Sequence, residues 1–505
     1  MLLFLPVAIL LVTLLALSLS NLQRGFRSNW LLALGGSLLA WVSLLFLRLQ
    51  LPLHSSFSFW WVGEGLEYSA TFVLDDVSWP LAFAVSSMLV ALLLGRVREA
   101  MTAPWFAWAP TLAIGAASLL TLPAGDPLTF LFTWTFLDVL GFVFLLFEPK
   151  SGEERQKVVQ KLAISLLGMG LLFAAWMFAF YGQELTNTLI FLSTTLRLGL
   201  WAPYLRMGSY SGLHQSASSL LLLAPSLVLL ARSGTMAEPM RSTLLLLTLL
   251  PAAYAAGNWV LNTSANRPSF WDLGMAALVA AAALGGHGQT AVAFSLVLLL
   301  GQGMLLLVQH ASRFRVVMAV LVLLLLSGFP YTAGYWGGKI YVNWASPLVF
   351  TFLAIQAAML AGWLRRALEP SLEPLSPETW MRTIQWLGLT LVPLAFIFLG
   401  LGLLPSFAPQ APIPWWPALV VLAGSAIFFF LARLRRPTLA SRIQLALDWL
   451  FSLRWLKLVG NLLSRMLSWG LSFFNGLLEG PAGVLWALLF VAILLSLAAQ
   501  YGMGS

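Results

Sequence analysis

Residues Leu326 to Lys339 read LSGFPYTAGYWGGK, and this stretch interrupts a hydrophobic segment with four glycines and a proline before it reaches a lysine. Glycine and proline both break the hydrogen-bond ladder of a helix. At membrane depth, broken backbone persists only where protein or a water-filled cavity satisfies the freed groups. The stretch therefore predicts a broken membrane helix with a functional Lys339 near mid-membrane. The alternative is a helix end from which the lysine snorkels to the interface.

The composition of the chain indicates a membrane protein. Its 505 residues are 60% hydrophobic and 9% charged, with a mean hydropathy of +0.90, whereas soluble domains carry about 25% charged residues. The chain has no cysteine, which excludes disulfides, thiolate metal sites and cysteine nucleophiles. The histidines suggest no metal or haem pair, and no Gly-rich nucleotide loop follows a strand. We therefore expect no cofactor, no metal and no catalytic site.

Apolar segments of about 20 residues, the length that crosses a bilayer, recur along the whole chain. They predict an all-α, polytopic membrane protein with about sixteen transmembrane helices. The predicted spans are 2–20, 30–48, 78–95, 105–122, 128–147, 161–181, 189–203, 216–232, 243–261, 270–286, 290–309, 316–342, 347–364, 383–404, 416–432 and 483–499.

Charged residues between the predicted spans are distributed unevenly. Basic residues follow every odd-numbered span, from Arg24 after the first to Arg433 after the fifteenth, whereas acidic residues such as Asp126 collect on the other side. By the positive-inside rule, odd-numbered exits face the cytoplasm and both termini lie outside. We expect a multi-pass protein of a bacterial plasma membrane. Its net charge of +9 then reflects topology and contact with anionic lipids, and not binding of nucleic acid.

A different pattern occupies the region near the carboxyl end. Between Ser441 and Glu479, polar residues recur mostly every three or four positions among Leu, Trp, Phe and Ile. This pattern predicts a long amphipathic helix in the membrane interface. At 1.5 Å per residue it would run roughly 55–60 Å, so it would have to lie along other helices. The alternative is a pair of short surface helices broken at Gly460 or Gly470.

Together these features resemble the antiporter-like subunits of respiratory complex I, the Mrp cation/proton antiporters and membrane-bound hydrogenases. In that family the broken twelfth helix carries a Gly-x-Pro, then a Gly-Phe, then a lysine or glutamate three residues on. The matching elements here are Gly328, Pro330, Gly334, Tyr335 and Lys339, with one extra residue, Gly338, in the last spacing. The helix-break candidates of this segment are Gly328, Pro330, Gly334, Gly337 and Gly338.

Other segments follow the same family pattern over nearly the whole chain. The third span, FVLDDVSWPLAF (72–83), resembles the family's short acidic approach to that helix. LRLGLWAPYLRM (196–207) takes the place of the broken seventh helix, with Pro203 as the breaker. The amphipathic segment followed by LEGPAGVLWALL (478–489) resembles the lateral helix and closing span of the distal subunits.

The resemblance also implies a division of the chain. Residues 1–104 would form N-terminal helices, 105–232 a first five-helix repeat, and 243–382 a second repeat with the broken helix 12. Additional helices would occupy 383–437, the amphipathic lateral helix 438–480, and a C-terminal transmembrane helix 481–505.

The polar axis along which the family moves protons is largely missing here. The glutamate of the fifth helix is replaced by Thr135 and the lysine of the seventh by Leu198. The histidine of the eighth falls approximately on Ser218, and the lysine of the eleventh near Gly303. A proton path needs consecutive groups joined by hydrogen bonds or water, so these replacements open gaps in it.

Asp138 lies one helical turn from Thr135 and is the acidic residue well inside a span of the first half. An unpaired charge at the bilayer centre costs at least about 2.5–3.5 kcal/mol on insertion scales. Asp138 must therefore have a partner, carry a proton or face water, and Arg197 is the candidate counter-charge. Either the two belong to a working relay or they form a structural ion pair. The proton-path candidates are Lys339, Asp138, Arg197, Thr135 and Ser218.

These observations favour a membrane subunit of a multisubunit complex, related to proton- or cation-translocating subunits, whose pumping is partial or lost. The expected partners are other membrane subunits, lipids, and protons or monovalent cations. A purely structural scaffold is the alternative. A glycosyltransferase that uses lipid-linked sugars is a third possibility, because Asp75 and Asp76 lie in the first large external loop. Such an enzyme usually needs a sizeable external domain, and the sequence offers none.

Overall fold

The computed structural model describes residues 2–20, 29–61, 67–99, 105–147, 152–179, 181–201, 213–234, 236–261, 267–308, 315–342, 346–369, 378–401 and 413–434. Fifteen α-helices lie in these ranges. They are α1 (Leu5–Ser20), α2 (Asn29–Leu47), α3 (Ser78–Gly95), α4 (Ala109–Thr121), α5 (Pro127–Phe147), α6 (Gly152–Phe178), α7 (Gln183–Arg197), α8 (Leu213–Arg232), α9 (Met240–Leu261), α10 (Arg267–Leu284), α11 (Gly288–Val308), α12 (Arg315–Leu326), α13 (Ser346–Ala367), α14 (Thr379–Gly400) and α15 (Trp416–Leu434).

The all-α, polytopic membrane fold predicted from the sequence is confirmed. Among the described residues, ten helices are long and apolar enough to cross a membrane, and four shorter apolar helices accompany them. Each of the first fifteen predicted spans overlaps one α-helix, and the twelfth, 316–342, also takes in the 3-10 segment Ala333–Tyr341. The last span, 483–499, and the amphipathic segment 438–480 lie outside the described residues.

One element has no counterpart among the predicted spans. Strands β1 (Leu53–Trp61) and β2 (Glu67–Leu74) form an antiparallel hairpin between α2 and α3. Alternate residues of β2, such as Phe72 and Leu74, are buried, as expected for a strand with one face on the core. The Phe72 ring packs edge-on against Phe4 at the start of the chain, with ring centroids 4.9 Å apart.

A carboxylate and a guanidinium hold this hairpin to the ends of two helices. Asp75 Oδ1 accepts hydrogen bonds from the backbone N–H groups of Val77 (3.1 Å) and Ser78 (2.8 Å), and from Arg232 Nη2 (3.1 Å). Arg232, the last residue of α8, also donates to the carbonyl of Ala124, just after α4. Asp75 therefore satisfies free N–H groups at the start of α3 while it ties α8 to the hairpin.

Asp126 likewise satisfies free N–H groups at the start of α5 and binds this helix to the hairpin. Its Oδ1 accepts from the backbone N–H groups of Leu128 (3.0 Å) and Thr129 (2.8 Å), and its Oδ2 accepts from the hydroxyls of Thr71 on β2 and Thr129. Burial would raise the pKa of Asp126, but these hydrogen bonds outweigh it and the pKa is lowered. The pKa of Asp75 is lowered too, because Arg232 and Ser78 outweigh its burial.

Helix ends alternate between two faces of the bundle. The ends of α4 and α8 meet at the hairpin, as Arg232 shows. The last residue of α14, Gly400, lies against the backbone of Thr332, beyond the end of α12. We call this end of the bundle the even face, because even-numbered helices end there, and the opposite end the odd face.

Helices α3 and α11 form the centre of the bundle. Every residue from Thr290 to Leu307 of α11 is buried. In α3, 89% of the residues of the 18-residue apolar stretch are buried. In the apolar stretches of α6 and α15, only 28% and 22% of the residues are buried. These outer helices therefore offer apolar side chains to lipid or to neighbouring proteins.

We expect the contacts of Asp75 and Asp126 at the hairpin to make the stability of the protein depend on pH. The folded-state pKa values of Asp75 and Asp126 are lowered. Their contribution is therefore full above the unfolded-state pKa of about 3.9 and is lost as the pH falls through the folded-state values. The double variant Asp75→Asn/Asp126→Asn should lose on the order of 2–3 kcal/mol at neutral pH and vary less with pH in the acidic range. Unfolding in detergent, followed by tryptophan fluorescence, measures both effects.

Glu238→Gln is the matched control for this experiment. Glu238 pairs with Arg241 at 3.7 Å, but its side chain is 60% exposed, and exposed pairs add little to stability. Glu238→Gln should leave both the stability of the protein and its dependence on pH unchanged. A double variant as stable as the parent at neutral pH would show that these contacts do not stabilise the fold.

Candidate functional site

The hydrophobic segment around Pro330 is broken, as predicted. Helix α12 ends at Leu326, and a 3-10 segment, Ala333–Tyr341, follows after a turn. Gly328 has φ +91°, a conformation that glycine adopts without steric cost. A Cβ placed on Gly334 would lie 3.3 Å from the Cα of Gly328, so the two glycines let the chain fold back on itself. Pro330 lies in the turn between the two helical pieces.

The other two glycines serve packing inside the 3-10 segment and not the break itself. A Cβ on Gly337 would meet the ring of Phe294 on α11 at 3.3 Å, and one on Gly338 would meet Ile413 at 2.9 Å. Thr290 Oγ1 donates to the carbonyl of Trp336 at 3.4 Å. The segment therefore lies against the first turns of α11.

Lys339 lies closer to one end of the bundle than we expected. Its half-buried amine donates a hydrogen bond to Gln289 Oε1 at 3.0 Å. Gln289 is in the first turn of α11, a helix whose 21 residues span about 31 Å. The amine therefore lies toward the even face, which differs from the mid-membrane position expected for it. The reason is the 3-10 segment, which packs on the start of α11.

In the first half of the chain the structure brings Asp138 and Arg197 together. Arg197, the last residue of α7, forms an ion pair with Asp138 Oδ2, and Ser165 on α6 donates its hydroxyl to the same oxygen. The Arg197 side chain is 6% exposed and the Asp138 side chain is 13% exposed. Asp138 and Ser165 each lie about halfway along their helices, so the pair occupies the middle level of the bundle.

Two neighbouring residues hold the guanidinium in this place. The Arg197 Cζ lies 3.5 Å from the ring centroid of Trp134, which is a cation–π contact. A Cβ on Gly168 would lie 2.7 Å from the Arg197 Cγ, so a glycine on α6 leaves room for the arginine stem. Ser193 on α7 also donates to the Gly168 carbonyl at 2.6 Å. The packing of α6 on α7 therefore directs Arg197 toward Asp138.

The remaining sequence candidates do not join this pair. Thr135 donates its hydroxyl to the Leu131 carbonyl of its own helix at 2.6 Å and contacts Met169 Sδ at 3.4 Å. Ser218 belongs to α8, but its side chain lies outside the described part of the chain. Pro203 lies outside the described residues as well, and α7 has already ended at Arg197.

A buried carboxylate in the second half escaped the sequence reasoning. Asp272 on α10 is 3% exposed and lies two residues inside the predicted span 270–286. Asn258 on α9 and Gln302 on α11 are also buried, at 1% and 2% exposed. All three lie toward the odd-face ends of their helices. An acidic residue inside a span was the signal that could have found Asp272.

Apolar packing fills the contact between α3 and α11. A Cβ on Gly303 would lie 1.9 Å from the Cε of Met88 on α3, so Met88 fills the space where a side chain at position 303 would extend. The family resemblance places a lysine near Gly303. No group of three or more histidine, aspartate or glutamate side chains in the described ranges could hold a metal ion.

Solved structures with a similar fold come from three membrane complexes. A chain of the Mrp complex from Dietzia sp. DQ12-45-1b aligns with a TM-score of 0.69 at 13% identity, over 99% of this chain and 63% of that chain. A chain of the membrane-bound sulfane sulfur reductase, an archaeal respiratory membrane complex, gives 0.67 at 15% identity, over 98% and 100%. A chain of respiratory complex I from Thermus thermophilus gives 0.59 at 17% identity, over 84% and 99%.

These similarities show that the chain shares the fold of these membrane-complex chains. This chain spans 63% of the length of the Mrp chain that it matches. No protein-family model matches the chain, and no curated protein matches its sequence.

We expect Asp138→Asn to destabilise the protein strongly. The change removes the counter-charge of a buried guanidinium, and breaking a buried pair costs about 3–5 kcal/mol. The double variant Asp138→Asn/Arg197→Gln should recover part of this loss, because no charge then remains buried. Unfolding temperature and membrane yield measure both. Ser165→Ala is a milder control, and equal stability of all variants would contradict a structural pair.

Proposed function

We propose that the chain is an integral membrane subunit of a multisubunit complex, with the antiporter-like fold but without a working proton relay in its first repeat. The ion pair of Asp138 and Arg197 carries this proposal. An arginine guanidinium does not lose its proton in proteins, so it cannot pass one on. Arg197 is thus a fixed charge beside Asp138, and the pair serves structure where the family uses exchangeable protons.

The similar folds support the assignment to a complex. All three come from multisubunit membrane assemblies, namely the Mrp complex, the sulfane sulfur reductase and complex I. Most residues in the apolar stretches of the outer helices α6 and α15 are not buried within the chain. These helices therefore suit contact with lipids and with partner subunits. A lateral helix at 438–480, predicted from the polar stripe, would lie along such partners. The repeats proposed at 105–232 and 243–382 would each hold one of the charged sites.

The contacts at the positions of the family's titratable groups favour loss of pumping over partial pumping. Met88 fills the space beside Gly303, and Thr135 uses its hydroxyl within its own helix. Buried hydroxyls of the central helices, such as those of Ser118 and Ser295, donate to backbone carbonyls. We therefore favour a scaffold subunit whose first half-channel is vestigial. The contacts of Asp75 with α3 and Arg232 give that residue a structural part, and they lend no support to the glycosyltransferase alternative.

Purification from the native membrane in mild detergent tests the proposal. We expect other membrane subunits to co-purify with the chain. In vesicles that contain the purified complex, Asp138→Asn/Arg197→Gln should leave proton uptake per complex unchanged, because the pair carries no protons. Gly170→Ala is a matched control on α6, since a Cβ there meets nothing within 4 Å. Loss of uptake at normal yield would show a working relay, and a chain that purifies alone would refute the complex.

We also propose that the odd face is cytoplasmic and that both termini lie outside, because basic residues follow the odd-numbered spans. The chain has no cysteine, so an introduced thiol is unique. Glu153→Cys and Arg435→Cys should react with membrane-impermeant maleimide in inside-out vesicles only, whereas Glu238→Cys should react in right-side-out vesicles only. Labelling of Glu153→Cys from outside would reverse the orientation.

A further inference from the structure

The ion pair in the first half of the chain uses only part of its hydrogen-bonding capacity. Arg197 and Asp138 meet through one pair of atoms, Nη2 and Oδ2, and the Ser165 hydroxyl donates to the same Oδ2. An arginine and a carboxylate often pair through two parallel hydrogen bonds, because the guanidinium fork matches the two oxygens. The hydrogen bonds described here leave Asp138 Oδ1 and the other terminal nitrogen of the fork, Arg197 Nη1, unused.

Two buried N–H donors meet beside this pair. Trp134 is 1% exposed, and neither its Nε1 nor Arg197 Nη1 has a hydrogen-bond partner among the described residues. The Arg197 Cζ lies 3.5 Å from the ring centroid of Trp134, so the two groups are in direct contact. Nη1 is bonded to that carbon and Nε1 belongs to that ring. Both donors are therefore within reach of one small acceptor.

Two such donors without an acceptor are unfavourable. A buried N–H group that lacks a partner has lost its hydrogen bond to water, and the loss is larger for a charged group such as the guanidinium. The large majority of buried side-chain polar atoms in proteins have a partner in the protein or in ordered water. Trp134 Nε1 and Arg197 Nη1 thus point to a ligand that the neighbouring side chains do not supply.

This ligand must be small, uncharged and able to accept two hydrogen bonds. The pair of Asp138 and Arg197 is neutral as a whole, so an anion would add an uncompensated charge inside the apolar bundle, which is costly. Asp138 and Ser165 lie about halfway along their helices, and lipid head groups do not reach that level. A water molecule meets these requirements, because it accepts from two donors and its own hydrogens can go to Asp138 Oδ1.

We propose that one water molecule is bound between Trp134 Nε1 and Arg197 Nη1 and donates a hydrogen bond to Asp138 Oδ1. The water completes the second half of the guanidinium fork. Buried waters typically make about three hydrogen bonds to polar groups that lack other partners, and immobilising one costs less than leaving a charged donor unpaired. Trp134 then stabilises Arg197 twice, through the face of its ring and through the water that its N–H holds.

The proposal rests on the contacts of three described side chains and not on the loss of pumping. A dry ion pair would leave the proposed function standing. Proton uptake that depends on Asp138 would refute the proposed function and leave the water in place. The two proposals therefore fail on different measurements.

Water-edited solid-state NMR of the full chain in lipid bilayers tests the site. Tryptophan is isotopically labelled at the indole nitrogen, and magnetisation passes from water protons to nearby N–H groups for increasing times. The Trp134 signal is identified by its loss in Trp134→Phe, or in Trp134→Tyr if the first variant does not accumulate. In the unmodified protein we expect this signal to build up several times faster than that of a buried indole bonded to a carbonyl.

Trp79 is the matched reference for this experiment. It is also 1% exposed, and an arginine lies over its ring, with Arg48 Cζ 5.3 Å from the centroid. Its N–H, however, donates to the Leu44 carbonyl at 2.9 Å, so its signal, identified with Trp79→Phe, should build up slowly. A Trp134 signal as slow as that of Trp79 would overturn the proposal, because a carbonyl, an anion or an empty space would each give that result.

A high-resolution structure of the full chain in bromide-containing buffer gives an independent check. We expect density for one water molecule within hydrogen-bond distance of Trp134 Nε1 and Arg197 Nη1. Anomalous scattering from bromide at this position, density for a protein carbonyl there, or no density beside the two nitrogens would each refute the water.

Discussion

A charge inside an apolar bundle persists only with a partner, and this constraint shapes both halves of the protein. In the first half Arg197 has Asp138 and the face of Trp134. In the second half Lys339 has the amide oxygen of Gln289 and a position near the end of α11. A permanent charge is therefore placed at mid-level with a counter-ion, whereas the lysine, with a neutral partner, lies nearer to water.

The same constraint applies to the interrupted backbone. Where α12 stops at Leu326, freed polar groups must find partners within protein or water. The close approach of Gly328 to Gly334 and the packing of the 3-10 segment on α11 meet that need. At the hairpin, Asp75 and Asp126 satisfy the N–H groups at the starts of α3 and α5. The fold thus concentrates its polar contacts at helix ends and leaves the centre of α11 to apolar packing.

Several features could be predicted from the sequence because they depend on composition and local backbone chemistry. Apolar length and spacing predicted the helices, and glycine and proline predicted the break after Leu326. The hairpin was not predicted, although SSFSFWW and EYSATFVL alternate polar and apolar residues, because its strands of nine and eight residues are much shorter than a membrane-spanning helix. Asp272 was not predicted, because a carboxylate so close to the end of a predicted span resembles an interfacial residue. Arg197 was proposed as the counter-charge of Asp138, and the structure shows that pair.

The sequence by itself determined that the chain is a polytopic membrane protein with a broken twelfth helix, since hydropathy and backbone breakers act locally. Only the tertiary structure decided where the charges lie and which spaces are filled. Lys339 meets Gln289, 50 residues away, and Met88 occupies the space beside Gly303, on a helix far along the chain. Trp259 on α9 likewise donates its indole N–H to the Met359 carbonyl on α13, 100 residues away. Such contacts depend on how helices from distant parts of the chain pack together, and no local pattern encodes that packing.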